Sequence, residues 1–164
     1  MGIISKILDS FKDRTIELLE ASIAQLRLGI FSRLSKKYFD NYGKQNGEFL
    51  SAAILNKILL EEPGHDEGKQ FRENNNVLIE EELLKIPDDE VIVNALSYLY
   101  AAQTLYLVYL TKEPFSKRAQ ELGEQATRLS IYIPNTYDIC GSDNVQECVL
   151  EIMKYSSKFF NEYK

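Results

Sequence analysis

The sequence predicts an all-α fold, a compact bundle of five to six helices, on three observations. Apolar residues recur at three- and four-residue steps along nearly the whole chain, which is the spacing of an amphipathic helix. The segments with this spacing are separated by short stretches rich in proline, glycine and asparagine, which interrupt helices. No stretch shows the strict alternation of a strand. At 164 residues the chain has the length of one domain, so we expect residues 1–164 to form a single one.

The first predicted helix covers residues 1–39 and is long and amphipathic. Its apolar face is carried by residues at helical spacing, and the five proposed as an interaction face are Ile4, Leu8, Phe11, Leu18 and Leu26. The segment is either one helix or two helices joined near Gly29, and residues 40–47 end it. We expect such a helix either to pack within the bundle or to protrude and form a dimer with a second copy.

The next two predicted helices flank an acidic loop. Residues 47–62 form the second helix, which the Pro63-Gly64 pair ends, because proline cannot continue the hydrogen-bond ladder. The third helix runs from about Lys69 to Ile86. It is weakened by Asn74–Asn76, since asparagine is a poor residue in a helix interior.

The fourth predicted helix is the most apolar and is expected to lie at the centre of the bundle. It begins at Pro87 and the three carboxylates that follow, and it continues through residues 91–110, twenty residues without a charge. That length would suit a membrane span. Polar residues inside it, among them Asn94 and Ser97, favour a buried helix of a bundle and argue against a transmembrane span. Asn94, Ser97, Ala101 and Thr104 share one side, which is either a partly exposed edge or the lining of a shallow groove.

Two more helices are predicted towards the C terminus. Ser116 precedes a fifth helix with a narrow apolar stripe. Asp143 and Gln146 have the spacing of a capping box at the start of a sixth. The apolar face of this last helix comprises Val145, Cys148, Val149, Ile152, Ser156, Phe159, Phe160 and Tyr163.

Charge is unevenly distributed along the chain. Residues 1–45 carry eight Lys or Arg against five Asp or Glu, residues 46–90 carry four against twelve, and residues 91–164 carry seven against eight. The net charge is -6, and because phosphate recognition requires clustered cations, nucleic acid is not an expected partner. Opposite charges would allow the acidic block 61–90 and the basic segment 27–44 to meet, either within one chain or between two chains.

The single histidine raises the hypothesis of a metal site. Four carboxylates lie within four residues of His65, and the candidate ligands are Glu62, His65, Asp66 and Glu67. A di-iron site is excluded, because the Glu62-x-x-His65 spacing is interrupted by Pro63 and because one histidine cannot supply a second motif. An oxygen-ligated divalent ion is the remaining metal hypothesis, and a solvated loop between helices is the favoured interpretation.

Catalysis is not predicted by any motif. The chain has no GxSxG, GxxxxGK[ST] or GxGxxG sequence, so no catalytic residue and no cofactor are assigned. Two cysteines, Cys140 and Cys148, are too few for a disulfide framework and have no zinc-like spacing. We expect them to be reduced. The N terminus lacks the features of a signal peptide, and the expected location is cytoplasmic.

The functional expectation is a small, non-enzymatic protein interaction or regulatory module that forms homo-oligomers through its N-terminal helix. A first alternative is a peripheral membrane protein, in which that helix lies on an anionic surface with a basic patch at its end. The patch comprises Arg27, Arg33, Lys36, Lys37 and Lys44. A second alternative is a metal-binding protein or enzyme centred on residues 61–68.

Overall fold

The structure, a computed structural model, describes residues 2–63, 66–110, 116–133 and 144–164, without the side chains of residues 4, 5, 7–11 and 66. Within these ranges the chain contains only helices and turns, which confirms the all-α prediction. Seven α-helices are described: α1 (Ile3–Tyr42), α2 (Lys44–Leu59), α3 (Lys69–Asn74), α4 (Asn76–Lys85), α5 (Glu90–Tyr109), α6 (Lys117–Ser130) and α7 (Val145–Tyr163). Short 3-10 turns precede α3 and α5.

The first helix, α1, is continuous through Gly29 and runs three residues beyond the predicted end. Its 40 residues make it about 60 Å long at 1.5 Å per residue. Gly29 does not divide it, because this glycine is used for close packing: a Cβ there would lie 2.6 Å from two ring carbons of Phe159 on α7. The helix ends at Gly43, whose φ of 82° is readily available only to glycine.

The other long helices pack along α1. Gly43 separates α1 from α2, which runs back along it. Contacts at both ends of α5 show that it is antiparallel to α1: Arg33 pairs with Asp89 at 3.2 Å, and the Tyr106 hydroxyl donates to Glu20. Helix α5 also packs against α6 and α7, so the predicted central apolar helix is confirmed.

Helix α7 is parallel to α1. Gln146 and Leu150 near its start line a small cavity with Arg14, and Tyr163 at its end lies 5.3 Å from the guanidinium carbon of Arg33, measured to the ring centroid. Helix α7 therefore runs alongside residues 14–33 of α1, about half of its 40 residues.

Two groups of buried side chains form the core. The larger group fills the space between α1, α2, α4 and α5 and continues to Phe159, and the smaller one joins α1, α5, α6 and α7 around Leu19. Its buried members are Leu19, Ala102, Tyr106, Leu122, Cys148, Val149 and Ile152. Each long helix contributes to one or both groups.

The predicted third helix is two helices in the structure. The break falls at Asn75, whose φ and ψ of -130° and 28° are not helical, and whose side chain donates to the Phe71 carbonyl at 2.8 Å. Asparagine competes for backbone hydrogen bonds in this way. The sequence identified the weak point, but it did not show that the helix ends there.

Helix α5 begins later than the sequence suggested, because Pro87 lies in a 3-10 turn and Asp89 is the N-cap. One oxygen of Asp89 accepts from the backbone N–H groups of Val91 and Ile92, each at 3.2 Å, and from Arg33. This one carboxylate therefore both starts the central helix and links it to α1.

We expect Asp89→Ala to lower the free energy of unfolding by about 1–2 kcal/mol, because the N-cap is lost and the Arg33 guanidinium loses its carboxylate. Urea unfolding followed by circular dichroism measures this change. The neighbouring exposed Asp88 provides the matched control, since Asp88→Ala should change the same free energy by less than about 0.5 kcal/mol. Equal effects of the two substitutions would contradict the capping role.

Helix α7 begins at a cap next to the predicted one. Asn144 accepts from the N–H groups of Gln146 and Glu147 at 3.0 and 3.4 Å, whereas Asp143 lies outside the described residues. Most of the predicted apolar face is buried, but Val145 is 42% exposed. Helix α5 has the length and hydropathy of a membrane span; in this structure it packs against α1, α6 and α7.

Candidate functional site

The proposed metal loop is only partly described. Gly64 and His65 and the side chain of Asp66 lie outside the described residues, and both Glu62 and Glu67 are exposed. Among the residues that are described, no group of three His, Cys, Asp or Glu side chains is arranged to hold a metal ion. The metal hypothesis thus rests on the sequence alone.

Glu61, at the start of this loop, has a defined structural role. Its Oε2 accepts from Arg27 of α1 at 2.5 Å and its Oε1 from Gln125 of α6 at 3.4 Å. The carboxylate therefore connects the end of α2 to two other helices. Together with the Arg33–Asp89 pair, it shows that the acidic block and the basic segment meet within one chain.

The predicted interaction face of α1 is divided between core and surface. Leu26 is fully buried in the core, so the proposal that it belongs to an open face is corrected. Leu18 is half-buried and lines an apolar cavity of about 260 Å³ with Val149 and Leu150 of α7. The side chains of Ile4, Leu8 and Phe11 lie outside those described.

The predicted basic patch is also divided. Arg27 and Arg33 are half-buried and paired with Glu61 and Asp89. The remaining members, Lys36, Lys37 and Lys44, are exposed. The five residues of the patch therefore do not form a uniform cationic surface, because Arg27 and Arg33 are used in internal ion pairs.

Cys148 is buried, as the sequence suggested, but it is not a free thiol. It is 7% exposed and disulfide-bonded, so its sulfur does not serve as a free nucleophile, and the expectation of two reduced cysteines is wrong. Cys140 lies outside the described residues.

A cleft between α1, α2, α5 and α6, here called the interhelical cleft, is the most developed candidate site. Its volume is about 700 Å³, within the range of small-molecule sites in proteins. The walls are mainly apolar and include Ile23, Leu28, Phe31, Leu55 and Leu122. Helix bundles commonly place ligand sites between helices in this way.

Polar groups from all four helices converge on the same cleft. Gln103 Nε2 donates to Gln125 Oε1 at 3.3 Å, and Gln125 continues the chain to Glu61 and hence to Arg27. Gln103 is only 1% exposed. Its Oε1 is buried and has no hydrogen-bond partner in the described part of the chain.

A second polar contact lies at the mouth of the cleft. The Tyr106 hydroxyl donates to Glu20, and Arg118 approaches it from α6. Burial and then the hydrogen bond to Glu20 raise the pKa of Tyr106, while Arg118 opposes this rise. The phenol is therefore protonated at neutral pH and acts as a donor.

A larger cleft lies between the start of α5 and the end of α7. It has a volume of about 820 Å³ and is lined by Asn94, Ser97, Tyr155 and Glu162, among others. Asn94 and Ser97 belong to the small polar stripe for which the sequence left a groove as one interpretation. By contrast, the sequence did not distinguish Gln103 of the interhelical cleft from the other polar residues of α5, although Gln103 is buried.

No protein-family model, curated protein sequence or solved structure matches the chain significantly. The interpretation of its surfaces therefore rests on their own geometry and chemistry.

Proposed function

We propose that the protein is a non-enzymatic helical interaction or regulatory module that self-associates through the N-terminal part of α1. The observation that carries this proposal is the exposure of the side chains described before Thr15, which are Ile3, 77% exposed, and the charged Lys6, Lys12, Asp13 and Arg14. The sequence places Leu8 and Phe11 in the same helix at the spacing of an apolar stripe. An apolar stripe on an exposed helix is a common interface.

The length of α1 supports the same proposal. The helix is about 60 Å long, whereas the 20 residues of α5 span about 30 Å. The described contacts with α5 and α7 nearest the N terminus involve Arg14 and Thr15 in the small apolar cavity. About three turns of α1 precede this point.

A second copy is the occupant that the charges favour. Between residues 2 and 14 the chain has three cations, Lys6, Lys12 and Arg14, and two anions, Asp9 and Asp13. Two such helices pair without strong net repulsion, and antiparallel pairing brings opposite charges together. An anionic membrane would need clustered cations near the same apolar stripe, but Lys36 is about 40 Å further along the helix.

Light scattering after size-exclusion chromatography tests the proposal. The native protein is expected to have twice the 18.9 kDa chain mass. Leu8→Asp should weaken the dimer by about thirtyfold or more, because a buried leucine at an interface contributes about 2 kcal/mol, while helix content and thermal midpoint stay unchanged.

Leu84→Asp is the matched control, because Leu84 is 79% exposed on α4, far from this face in sequence. It should leave the dimer intact. A native monomer at 100 µM, roughly the range where weak interfaces are populated, would contradict the proposal, and unfolding of the Leu8 variant would instead identify Leu8 as a core residue. Salt-sensitive sedimentation of a native monomer with anionic vesicles would point to the membrane alternative.

A further inference from the structure

The starting observation is the buried carbonyl oxygen of Gln103. Gln103 is 1% exposed and lines the interhelical cleft, and its Oε1 has no donor among the described residues. Buried acceptors without a partner are rare in folded proteins, because removing an acceptor from water without replacing its hydrogen bond is unfavourable. The wall of the cleft therefore contains a buried acceptor that lacks a donor among the described residues.

The hydrogen-bond chain fixes the orientation of this amide. Glu61 pairs with Arg27 and so accepts as a carboxylate. Gln125 must consequently direct its NH2 group to Glu61, which leaves its oxygen facing Gln103. Gln103 must then direct its own NH2 group to Gln125, so its oxygen is the free end of the chain. An exchange of the amide oxygen and nitrogen would break this sequence of donors and acceptors.

The charges around the cleft are balanced. Arg27 is paired with Glu61, and Glu20 accepts from Tyr106 beside Arg118. The wall thus holds two cations and two anions at neutral pH. A charged ligand would have to displace one of these contacts, whereas a neutral ligand leaves them in place.

We propose that the interhelical cleft binds a neutral, largely apolar small molecule that donates an N–H or O–H hydrogen bond to Gln103 Oε1. The aliphatic walls and Phe31 accommodate the apolar body. This site is separate from the N-terminal face of α1, so it does not depend on self-association.

Indole and 1-methylindole form a matched pair of probes, since they share the apolar ring system and differ in the N–H donor. Titration of the ¹⁵N-labelled protein, followed through the Gln103 side-chain NH2 signals, gives the affinity at the cleft. Indole is expected to bind about tenfold more tightly than 1-methylindole, because only indole satisfies the buried acceptor. Equal affinities would overturn the role of Gln103, and no binding of indole at 10 mM, roughly the weak limit of such sites, would overturn the site.

Gln103→Leu provides the variant test, and the exposed Gln120 of α6 provides its control as Gln120→Leu. Backbone amides of residues lining the cleft report binding in both variants. Gln103→Leu should remove the preference for indole, while Gln120→Leu should retain it. Persistence of the preference in Gln103→Leu would overturn the assignment of the acceptor. The comparison of the two probes on the native protein remains decisive should the variant not fold.

Discussion

Raising the pH from 10 to 12 is expected to unfold the protein cooperatively. Burial raises the pKa of Tyr155 to about 12, and burial is also the first cause of the raised pKa of Tyr38, Tyr106 and Tyr132. In the unfolded chain a tyrosine ionises near pH 10. The unfolded state therefore releases these protons first, and stability is lost as the pH rises through the folded pKa values.

The size of this effect follows from the number of tyrosines. Each one removes about 1.4 kcal/mol of stability per pH unit once the unfolded chain is ionised. The two with the largest rises, Tyr38 and Tyr155, together remove about 3 kcal/mol per pH unit, which is a large part of the total stability of about 5–15 kcal/mol of an ordinary domain. Few single substitutions would have a larger effect.

Circular dichroism and absorbance at 295 nm, recorded together against pH, measure this transition, because the second signal reports phenolate. Loss of helix and appearance of phenolate are expected to coincide. Tyr155→Phe should raise the midpoint pH, since one ionising group is removed while the ring remains stacked on Tyr98 at a centroid distance of 3.8 Å. Complete ionisation near pH 10, about the value of a free tyrosine, with helix retained would contradict the prediction.

Phe159→Ala is expected to lower the free energy of unfolding by about 3–5 kcal/mol. Phe159 is 3% exposed in the larger core group and packs against Tyr155 and Tyr163 on its own helix. Its ring also occupies the space beside Gly29. Removing the ring therefore leaves a cavity between α1 and α7 beside Gly29.

The contact between Gly29 and Phe159 predicts that Gly29→Ala changes the free energy of unfolding with opposite signs in two backgrounds. In the native protein Gly29→Ala should be destabilising by about 1–2 kcal/mol, because the new Cβ forces a buried ring to move and this outweighs the gain in helix propensity. In the Phe159→Ala background the same change should be stabilising by about 1 kcal/mol, since only the propensity gain remains. Urea unfolding of the four proteins of this double-mutant cycle measures the coupling. An unchanged sign would show that Gly29 is not held by Phe159.

The sequence predicted the presence of the helices better than it predicted where they end and which residues they pack against. The apolar spacing in α5 and α7 reflects burial in the bundle, so the pattern identified these helices directly. The break at Asn75 depends on whether a side-chain hydrogen bond replaces a backbone one, and composition does not decide that. A glycine such as Gly29 can either interrupt a helix or allow another helix to pack closely. The position of Phe159 shows that close packing is the case here.

The candidate site was largely invisible in the sequence for a related reason. Glu61, Gln103 and Gln125 are separated by 22 or more positions along the chain and come together only when α2, α5 and α6 pack. Gln103 and Gln125 are ordinary polar residues of their helices, and Glu61 is one of several acids in a loop. The acidic loop formed a visible pattern because its residues are adjacent in the sequence. Of its described residues, Glu61 is the one that takes part in the hydrogen-bond chain of the cleft.

The parallel arrangement of α1 and α7 determines where a tag, a fusion partner or a surface linker would lie on the molecule. Tyr163 lies beside Arg33, so residue 163 is separated from residue 3 by about 45 Å of helix. A fluorescent protein, affinity tag or surface linker joined after Lys164 would stand at the opposite end of the bundle from the exposed start of α1. The same linker joined before Gly2 would sit directly on that surface. The two ends of the bundle are thus distinct, and immobilisation through one end leaves the other accessible.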